Sequence, residues 1–350
     1  LKGLKKRDLV NNLGKGASTF KGGKRPFLWE INSSAAYALG LDVEIGQTAI
    51  ALLGLNGDVK KKKIYKTNGI TNPRELSQHL LRSVNDLIKD SGVDLEKILG
   101  AGIAIAGIVN RGSGEVMMTD IIPQMNFSIT SALQKKYQFP VIAENNANAS
   151  AIGSKVVGTA RGERNFMTVL IKVDAHVSGI GIGLVLNGEL YHGTNYCSGE
   201  VTPEYPPMYN MISRLRDHFN KGKILKKYLN NSPDLNIGML IDAANKGDAL
   251  AIHYFMLLGR LIGSSIAKHI AMINPARVII TGDVAEVGDI ILDPIKELVS
   301  YELVSVSKES LSIVASKSGR YSVAVGAASI ILDEFLKVPA FTTNRIANLS

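Results

Sequence analysis

The sequence contains one cysteine and no long apolar stretch. With Cys197 alone, an intramolecular disulfide is excluded, and a metal cluster held by thiolates has no ligands. No run approaches the roughly 20 apolar residues that a membrane-spanning helix needs. No signal peptide or solenoid repeat is visible, and further sequence is expected upstream because the chain begins at Leu1. These absences predict a soluble, cytoplasmic protein.

The composition is that of a globular protein with about two domains. Of its 350 residues, 45% are hydrophobic and 20% are charged. A single hydrophobic core stops growing at about 250–300 residues, so two domains are expected.

Positive charge is concentrated at the N-terminal end. Residues 1–30 hold eight basic and two acidic side chains, a net charge of +6 out of +9 for the whole chain. A basic end on a nearly neutral body is typical of a nucleic-acid-binding appendage, although many basic runs are solvated tails. Two strand-like segments, Lys6–Val10 and Phe27–Ile31, enclose a Gly-rich basic loop. They predict a β-hairpin that forms a wing.

The rest of the chain alternates strands and helices. Apolar runs broken by Asn56-Gly57 predict a hairpin, and residues 60–66 return on a third strand. The four lysines at 60–63 could touch DNA, but only alternate residues of a strand share a face, so a solvated edge strand is favoured. A helix from Asn72-Pro73 is predicted by helical spacing of leucine and valine. Further strands are expected at 99–106, 166–173 and 179–188, a strand and turn at 278–283, and helices at 208–221, 237–246, 249–273 and 323–336.

A polar cluster at 144–148 reads Glu-Asn-Asn-Ala-Asn, directly after an apolar run. The small residues that follow predict a strand delivering this cluster to the first turn of a packed helix, which is where ligands sit in open α/β sheets. The cluster could equally be a helix cap with a solvated turn. The Gly-rich stretch 179–188 leaves a similar choice between a phosphate cradle and close packing.

These motifs resemble the ROK family, which groups sugar-responsive repressors with sugar kinases. The loop 14–26, Gly-Lys-Gly-Ala-Ser-Thr followed by Gly-Gly-Lys-Arg-Pro, looks like the wing of the repressors' winged helix-turn-helix domain, and 144–148 resembles Glu-Asn-Asp-Ala-Asn of the kinases. The resemblance implies an α/β fold with two RNase-H-like lobes of the actin and sugar-kinase superfamily, preceded by the remnant of a winged helix-turn-helix domain. The implied parts are 1–31 for the wing, 32–147 for the smaller lobe, rejoined by a helix at 337–350, and 148–336 for the larger lobe with dimerisation helices.

The resemblance also implies DNA contacts from the wing. Because the recognition helix that precedes the wing in these repressors is absent, residues 1–31 are expected to be only the end of that domain. The expected DNA-binding residues are Lys15, Ser18, Thr19, Lys21, Lys24 and Arg25.

The kinase motifs are altered wherever ATP would bind or react. In the family's kinases the Asp of Glu-Asn-Asp-Ala-Asn takes the proton of the attacking sugar hydroxyl, but this chain has Asn146, an amide that cannot hold that proton. Asp-x-Gly-Gly-Thr reads Glu-Ile-Gly-Gln-Thr at 44–48, Gly-Thr-Gly reads Val-Ser-Gly at 177–179, and Gly-Gly-Gly reads Thr-Gly-Asp at 281–283. The degenerate phosphate-binding residues are Glu44, Gly46, Thr48, Ser178 and Gly179. No kinase activity and no cofactor are therefore expected.

The sugar-binding positions are better kept. By the resemblance, the residues that line the sugar pocket are Gly107, Asn126, Asn145, Asn146 and Glu200. The family's Gly-Glu-x-Gly-His reads Gly-Glu-Val-Thr-Pro at 199–203, so its histidine is lost. The Cys-rich zinc loop that normally follows is either lost from the protein or left out of this sequence. The six histidines have no cysteine nearby, so no metal is expected.

The sequence therefore predicts a non-enzymatic transcriptional regulator, a repressor of sugar-metabolism genes. A sugar bound between the lobes would close them and change the spacing of the wings in a homodimer or dimer of dimers. The expected partners are a double-stranded DNA operator and a small-molecule sugar effector, without a membrane. One alternative is an ATP-dependent sugar kinase of the glucokinase or N-acetylhexosamine kinase type. Another is a sugar-binding protein whose basic end has a different role.

Overall fold

The computed structural model describes residues 1–17, 25–67, 69–173, 178–201, 224–225, 227 and 236–337. It divides into two compact units. The first unit comprises residues 1–144 and 324–350, and the second comprises residues 145–323.

The N-terminal end of the first unit is a short helix, α1 (Lys2–Lys6), followed by the antiparallel strands β1 (Val10–Lys15) and β2 (Phe27–Ile31). The predicted strand at Lys6–Val10 is wrong, because the chain is helical as far as Lys6. The helix ends in a turn in which the Leu9 N–H donates to the Leu4 carbonyl at 2.9 Å and Asp8 has a positive φ of 53°. The hairpin itself is present, with a bulge at Leu13.

The centre of the first unit is a five-stranded sheet with the order β10-β6-β3-β4-β5. β3 runs antiparallel to β4 and parallel to β6, and a small sheet of β7, β8 and β9 follows β6. The elements are β3 (Tyr37–Glu44), β4 (Gln47–Gly54), β5 (Val59–Lys66), α2 (Pro73–Ser91), β6 (Ile98–Ile105), β7 (Ile108–Asn110), β8 (Glu115–Met118), β9 (Phe127–Ser128), α3 (Ser131–Tyr137) and β10 (Val141–Asn145).

The helix predicted after Asn72 is confirmed as α2. The Asn72 side chain accepts a hydrogen bond from the Glu75 N–H, and Pro73 opens the helix, where its missing N–H is not needed. The helix ends at Gly92 in the left-handed conformation. Its apolar face is buried against the sheet, through Leu76, Leu80, Val84 and Leu87.

The lysine-rich strand β5 is the edge of this sheet, as predicted. Lys60 and Lys62 are exposed, while Lys61 and Lys63 are half-buried, so the lysines alternate between two environments. Lys63 Nζ lies 2.6 Å from Asp86 Oδ2 and 3.1 Å from Asp90 Oδ2 on α2. Hydrogen bonds from Lys63 and Tyr65 lower the pKa of Asp86. Lys63 is therefore an ion-pair partner and not simply a solvated residue.

The second unit repeats the strand order of the first. Its sheet has the order β13-β12-β11-β15-β16, with β14 paired to β12. β11 is antiparallel to β12 and parallel to β15, as β3 is to β4 and β6. The elements are α4 (Asn146–Val156), β11 (Phe166–Val173), β12 (Ser178–Leu186), β13 (Glu189–Leu190), β14 (Glu200–Val201), α5 (Ile237–Asn245), α6 (Ala249–Ile273), β15 (Arg277–Thr281), α7 (Asp289–Glu302), α8 (Ser305–Ser310) and β16 (Ser312–Ala315). The predicted helix at 208–221 lies outside the described residues.

Helix α6 is long and apolar enough to cross a membrane by length and composition alone, but half of its most apolar window is buried inside the unit. It packs closely on α7, because a Cβ at Gly259 would lie 2.6 Å from the Ile291 carbonyl oxygen and one at Gly263 would lie 2.9 Å from the Leu298 Cβ. Its small residues serve helix packing, so α6 is not a clear membrane span.

The last described helix, α9 (Ser322–Lys337), packs on the first sheet from Ala324 onward. At Gly40 on β3 and Gly102 on β6, a Cβ would overlap backbone oxygens of this helix. Residues 324–337 therefore belong to the first unit, whereas the sequence boundaries placed 148–336 in the larger lobe. The predicted helix at 337–350 lies almost wholly outside the described residues.

Candidate functional site

The polar cluster begins at Asn145, which caps helix α4. Its φ and ψ are −61° and 145°, and its Oδ1 accepts hydrogen bonds from the N–H groups of Ala147 at 2.8 Å and Asn148 at 3.1 Å. The amide oxygen of Asn145 is thus a helix cap, as one of the two interpretations of this motif predicted. The other end, Nδ2, donates to Glu200 Oε1 at 3.1 Å. Asn145 therefore joins the helix start to a carboxylate that lies 55 residues further along the chain.

Asn146 occupies the first position of α4 and is only 7% exposed. Its Oδ1 accepts a hydrogen bond from the Ala147 N–H at 2.8 Å, so the carbonyl end of the amide turns toward the backbone. This assigned orientation directs Nδ2 away from Ala147. The side chain can donate to a ligand oxygen, but it has no basic atom that could take up a proton.

Glu200 is exposed and is fixed by the backbone of β14. It pairs with Gly181 on β12, and Gly199 just before it has a φ of 83°. A Cβ at Gly199 would overlap the Ile182 carbonyl oxygen, so only glycine allows this close approach. The strand register and this glycine together place the Glu200 carboxylate beside Asn145.

Two glycines of β12, Gly181 and Gly183, serve packing. A Cβ at Gly181 would lie 2.8 Å from the Ala147 Cβ, and one at Gly183 would lie 2.5 Å from the Ala147 carbonyl oxygen. They let the first turn of α4 sit directly on the strand. Gly179 has open space around it, and Ser178 begins the strand. Val177, which replaces the first glycine of the Gly-Thr-Gly motif, lies outside the described residues.

Glu144 differs from its neighbours because it belongs to the first unit. It is fully buried, and its Oε2 lies 3.3 Å from Arg111 Nη1. The same guanidinium reaches Glu334 Oε1 on α9 at 2.8 Å. Glu144 therefore helps to hold α9 on the first unit. The sequence motif did not point to Arg111, because the arginine lies 33 residues away in the chain.

Two further predicted sugar-binding residues, Gly107 and Asn126, are carried by the first unit. Gly107 follows β6 with a φ of 131°, and a Cβ there would overlap the Met118 carbonyl oxygen. Asn126 is exposed and also has a positive φ, 57°. Gly107 can therefore present only its backbone to a ligand.

The first altered phosphate motif forms the tight turn between β3 and β4. Gly46 has a φ of 79°, and Gln47 Nε2 donates to Glu44 Oε2 at 3.0 Å. Beside this turn lies a cavity of about 340 Å³ within the first unit, lined by Glu44, Ile45, Gly46, Thr67, Gly69, Ile70, Leu76 and Ile121. None of these eight residues is basic. The described lining of this cavity therefore brings a carboxylate, and no positive charge, to the turn.

Thr48, the last residue of this motif, is buried in a polar contact of its own. Its Oγ1 lies 3.2 Å from His79 Nε2 on α2, and Ser83 Oγ lies 3.4 Å from the same nitrogen. Burial, together with nearby Arg82, lowers the pKa of His79. Thr48 therefore connects strand β4 to helix α2 through a side-chain hydrogen bond.

The third altered motif turns the chain after β15. Gly282 has a φ of 93°, and a Cβ there would lie 2.4 Å from the Ile171 carbonyl oxygen. Thr281 is fully buried, and Asp283 begins a short 3-10 helix. The close packing at Gly282 thus requires glycine, whereas Thr281 and Asp283 replace the other two glycines of the expected Gly-Gly-Gly with residues that have side chains.

Of the predicted DNA-binding residues, the structure describes Lys15 and Arg25. Both are exposed on the basic hairpin, where Lys5 Nζ also lies 4.1 Å from the centroid of the Trp29 ring. The remaining ones, Ser18, Thr19, Lys21 and Lys24, lie outside the described residues.

A zinc site of the kind implied by the family does not fit the residues of this chain. Structural zinc sites use about four Cys and His ligands, and Cys197 is the sole cysteine, with neither Cys nor His at 198–217. Within the described ranges, no group of three or more His, Cys, Asp or Glu side chains is placed to hold a metal ion.

Comparisons with known proteins agree with this geometry. The xylose repressor of Bacillus subtilis is 26% identical over 339 residues, covering 95% of this chain and 86% of the repressor. The crystal structure of a ROK family transcriptional regulator, a homolog of the E. coli MLC protein, has a TM-score of 0.73 at 20% identity and covers 95% of this chain and 86% of that one. The crystal structure of a ROK family glucokinase from Streptomyces griseus, in complex with glucose and AMPPNP, has the same TM-score at 20% identity. The match covers 84% of this chain and 99% of the glucokinase. The predicted α/β fold of two actin-like lobes is confirmed. The ROK family model matches residues 39–202 and 219–334, so the chain belongs to the ROK family.

Proposed function

We propose that this chain is a transcriptional regulator, a repressor of sugar-metabolism genes, whose effector sugar is bound by Asn145, Asn146 and Glu200. The observation that carries this proposal is the amide and carboxylate cluster at the start of α4, in which Asn145 Nδ2 donates to Glu200 Oε1 at 3.1 Å. Amide groups and a carboxylate can exchange hydrogen bonds with sugar hydroxyls. The similarity to a xylose repressor supports the same function. Gly107 and Asn126 are the proposed contributions of the first unit.

The basic hairpin is the proposed DNA-binding surface. Lys15 and Arg25 are exposed on it, and with Ser18, Thr19, Lys21 and Lys24 they are expected to contact phosphates or the minor groove. Each phosphate contact releases counterions, so log K is expected to fall with log [salt] by about 0.9 per contact.

Fluorescence anisotropy with the full-length protein and DNA from its own upstream region tests the proposal. We expect binding that weakens with salt and a change in DNA affinity of about 5–150-fold when the effector is added. The effector is sought among pentoses, hexoses and N-acetylhexosamines. If no DNA is bound even at low salt, the chain is not a DNA-binding regulator.

A charge-matched pair of variants separates specific contacts from general attraction. The double variant K15A/R25A is expected to reduce the slope of log K against log [salt] by about 1.8, because two phosphate contacts are lost. Removal of Lys135 and Lys136, which are exposed on α3, changes the net charge equally and should leave the slope unchanged. Equal effects of the two double variants would argue against the hairpin as the contact surface.

Regulation requires the effector to bind two arrangements of the protein unequally. We propose a homodimer, because dimers bind two DNA half-sites at a spacing fixed by their symmetry, and a cytoplasmic location, where the operator lies. Light scattering coupled to size exclusion measures the assembly, and a monomer on the operator would exclude this arrangement.

A sugar kinase is the second candidate, because the fold matches that of a ROK glucokinase. We propose that this activity is lost, since Asn146 cannot take the proton of the attacking hydroxyl and Glu44 and Asp283 bring acidic side chains into phosphate motifs. An assay coupled to ADP release over a panel of sugars is expected to show no turnover, and N146D should not restore it. Steady turnover by the unaltered protein would establish the kinase instead.

A further inference from the structure

Two of the backbone donors at the start of α4 are already used within the protein. The first N–H groups of a helix commonly bind phosphate, because they are unpaired and point toward the ligand. Here the Ala147 and Asn148 N–H groups both donate to Asn145 Oδ1, at 2.8 and 3.1 Å. Ala147 N–H is also 2.8 Å from Asn146 Oδ1. A phosphate at this helix would have to displace two side-chain amides.

The carboxylate beside the helix is a second mismatch for a phosphate. Glu200 Oε1 is 3.1 Å from Asn145 Nδ2, so this carboxylate lies beside the start of the helix. A carboxylate can only accept hydrogen bonds, and the oxygens of a phosphate dianion are likewise acceptors. A sugar hydroxyl can donate to the carboxylate and accept from an amide, so it satisfies both kinds of partner.

The cavity beside the altered phosphate turn of the first unit is poorly suited to an anion. The cavity beside Glu44 and Gly46 has aliphatic walls at Ile45, Ile70 and Leu76, and none of its eight lining residues is basic. An anion in such surroundings loses hydration without gaining a positive partner. This observation is independent of α4 and of Glu200.

We propose that the effector is an uncharged sugar, and that the protein discriminates against phosphate esters of the same sugar. This inference rests on the proposed function. The sugar hydroxyls donate to Glu200 and accept from the amides of Asn145 and Asn146. One mismatched charged hydrogen bond is worth about a factor of ten in affinity, so the phosphate ester is expected to bind at least about tenfold more weakly.

Isothermal titration of the full-length protein with matched pairs of ligands tests the inference. The pairs are glucose with glucose 6-phosphate, and N-acetylglucosamine with its 6-phosphate, with xylose as a further neutral probe. We expect a neutral sugar to bind and its ester to bind at least about tenfold more weakly. An ester that binds as tightly as its sugar, or more tightly, overturns the inference and leaves the sugar-responsive regulator intact. If neither neutral sugars nor esters bind, the proposed sugar site is itself wrong.

A pair of variants tests whether Glu200 is the discriminating group. E200Q keeps the size of the side chain but adds an N–H donor, so the neutral sugar is expected to bind about tenfold more weakly. Binding of the ester should weaken less or become tighter. The dissociation constant of the ester divided by that of the neutral sugar should therefore decrease. E297Q removes a carboxylate of the same unit, at the surface pair with Arg260, and should leave the ratio unchanged. An unchanged or wider ratio in E200Q would overturn the assignment.

Discussion

Asn145 has two roles that two substitutions can separate. Alanine removes the acceptor for the Ala147 and Asn148 N–H groups, and both of these residues are 2% exposed. Loss of an Asn cap typically destabilises a helix by about 0.5–2 kcal/mol. Because water cannot readily replace the cap at such buried groups, we expect N145A to lie in the upper half, about 1–2 kcal/mol.

Aspartate at the same position keeps the cap but changes the contact with Glu200. A carboxylate replaces the Nδ2 group that lies 3.1 Å from Glu200 Oε1, so a hydrogen bond becomes a repulsion of at least about 1 kcal/mol, the value for two such charges in water. The repulsion raises the pKa of one carboxyl in the folded state above its unfolded value of about 4. The destabilisation of N145D is therefore full above that raised pKa and disappears as the pH falls to about 4.

Amide hydrogen exchange followed by mass spectrometry measures both effects, because it resolves residues 147–156 of α4 from the rest of the chain. N145A should speed exchange there at all pH values, and N145D should do so at pH 7 but not near pH 4. N236A is the matched control, since Asn236 caps α5 through the Met239 N–H at 3.1 Å and should affect only that helix. Exchange in α4 of N145A at the rate of the unaltered protein would refute the reasoning.

Three further predictions concern stability. Y254F should stabilise the second unit by about 1 kcal/mol, because it removes a buried hydroxyl that has no hydrogen-bond partner in the described structure. Y137F should instead destabilise the first unit, because the Tyr137 hydroxyl donates a hydrogen bond to the Leu81 carbonyl at 3.4 Å. Hydrogen exchange in each unit distinguishes these outcomes. Because burial lowers the pKa of His79, stability present above pH 6.5 should fall as the pH drops toward the folded-state pKa. Urea unfolding at pH 7 and 5.5 should show a smaller loss in H79Q. G102A should prevent folding of the first unit, since its Cβ would overlap a backbone oxygen of α9, and a soluble variant with native circular dichroism would contradict this.

The order of strands and helices was predictable because it depends on local patterns. Helical spacing and an Asn-Pro start gave α2, and the continuous apolar runs of β3 and β4 gave two strands that are buried on both faces. The strand at Lys6–Val10 was predicted wrongly, because its end is fixed by a contact distant in sequence. Asn32 Nδ2 holds the turn by donating to the Asp8 carbonyl at 2.9 Å, and a local pattern does not contain that contact.

The domain boundary and the roles of the glycines could not be predicted from the sequence, because they also depend on contacts between residues distant in sequence. The sequence of α9 is equally suited to either unit, and its position is decided by Gly40 and Gly102, which lie more than two hundred residues earlier. Likewise, a glycine that cradles phosphate and a glycine that admits a neighbouring helix look the same in a sequence. Gly181 and Gly183 are of the second kind, because Ala147 occupies the space beside them.

The hydrogen bonds at the start of α4 divide between Asn145 and Asn146. Asn145 supplies the helix cap and the contact to Glu200, so the structural requirements of the motif fall on it. Asn146 makes one contact, from its Oδ1 to the Ala147 N–H, and a carboxylate oxygen could accept the same hydrogen bond. We therefore expect N146D to keep this hydrogen bond, so the two residues differ mainly in whether they can take up a proton. In the proposed function, the amides and Glu200 would still hold a sugar, while the Asn146 side chain could not take its proton.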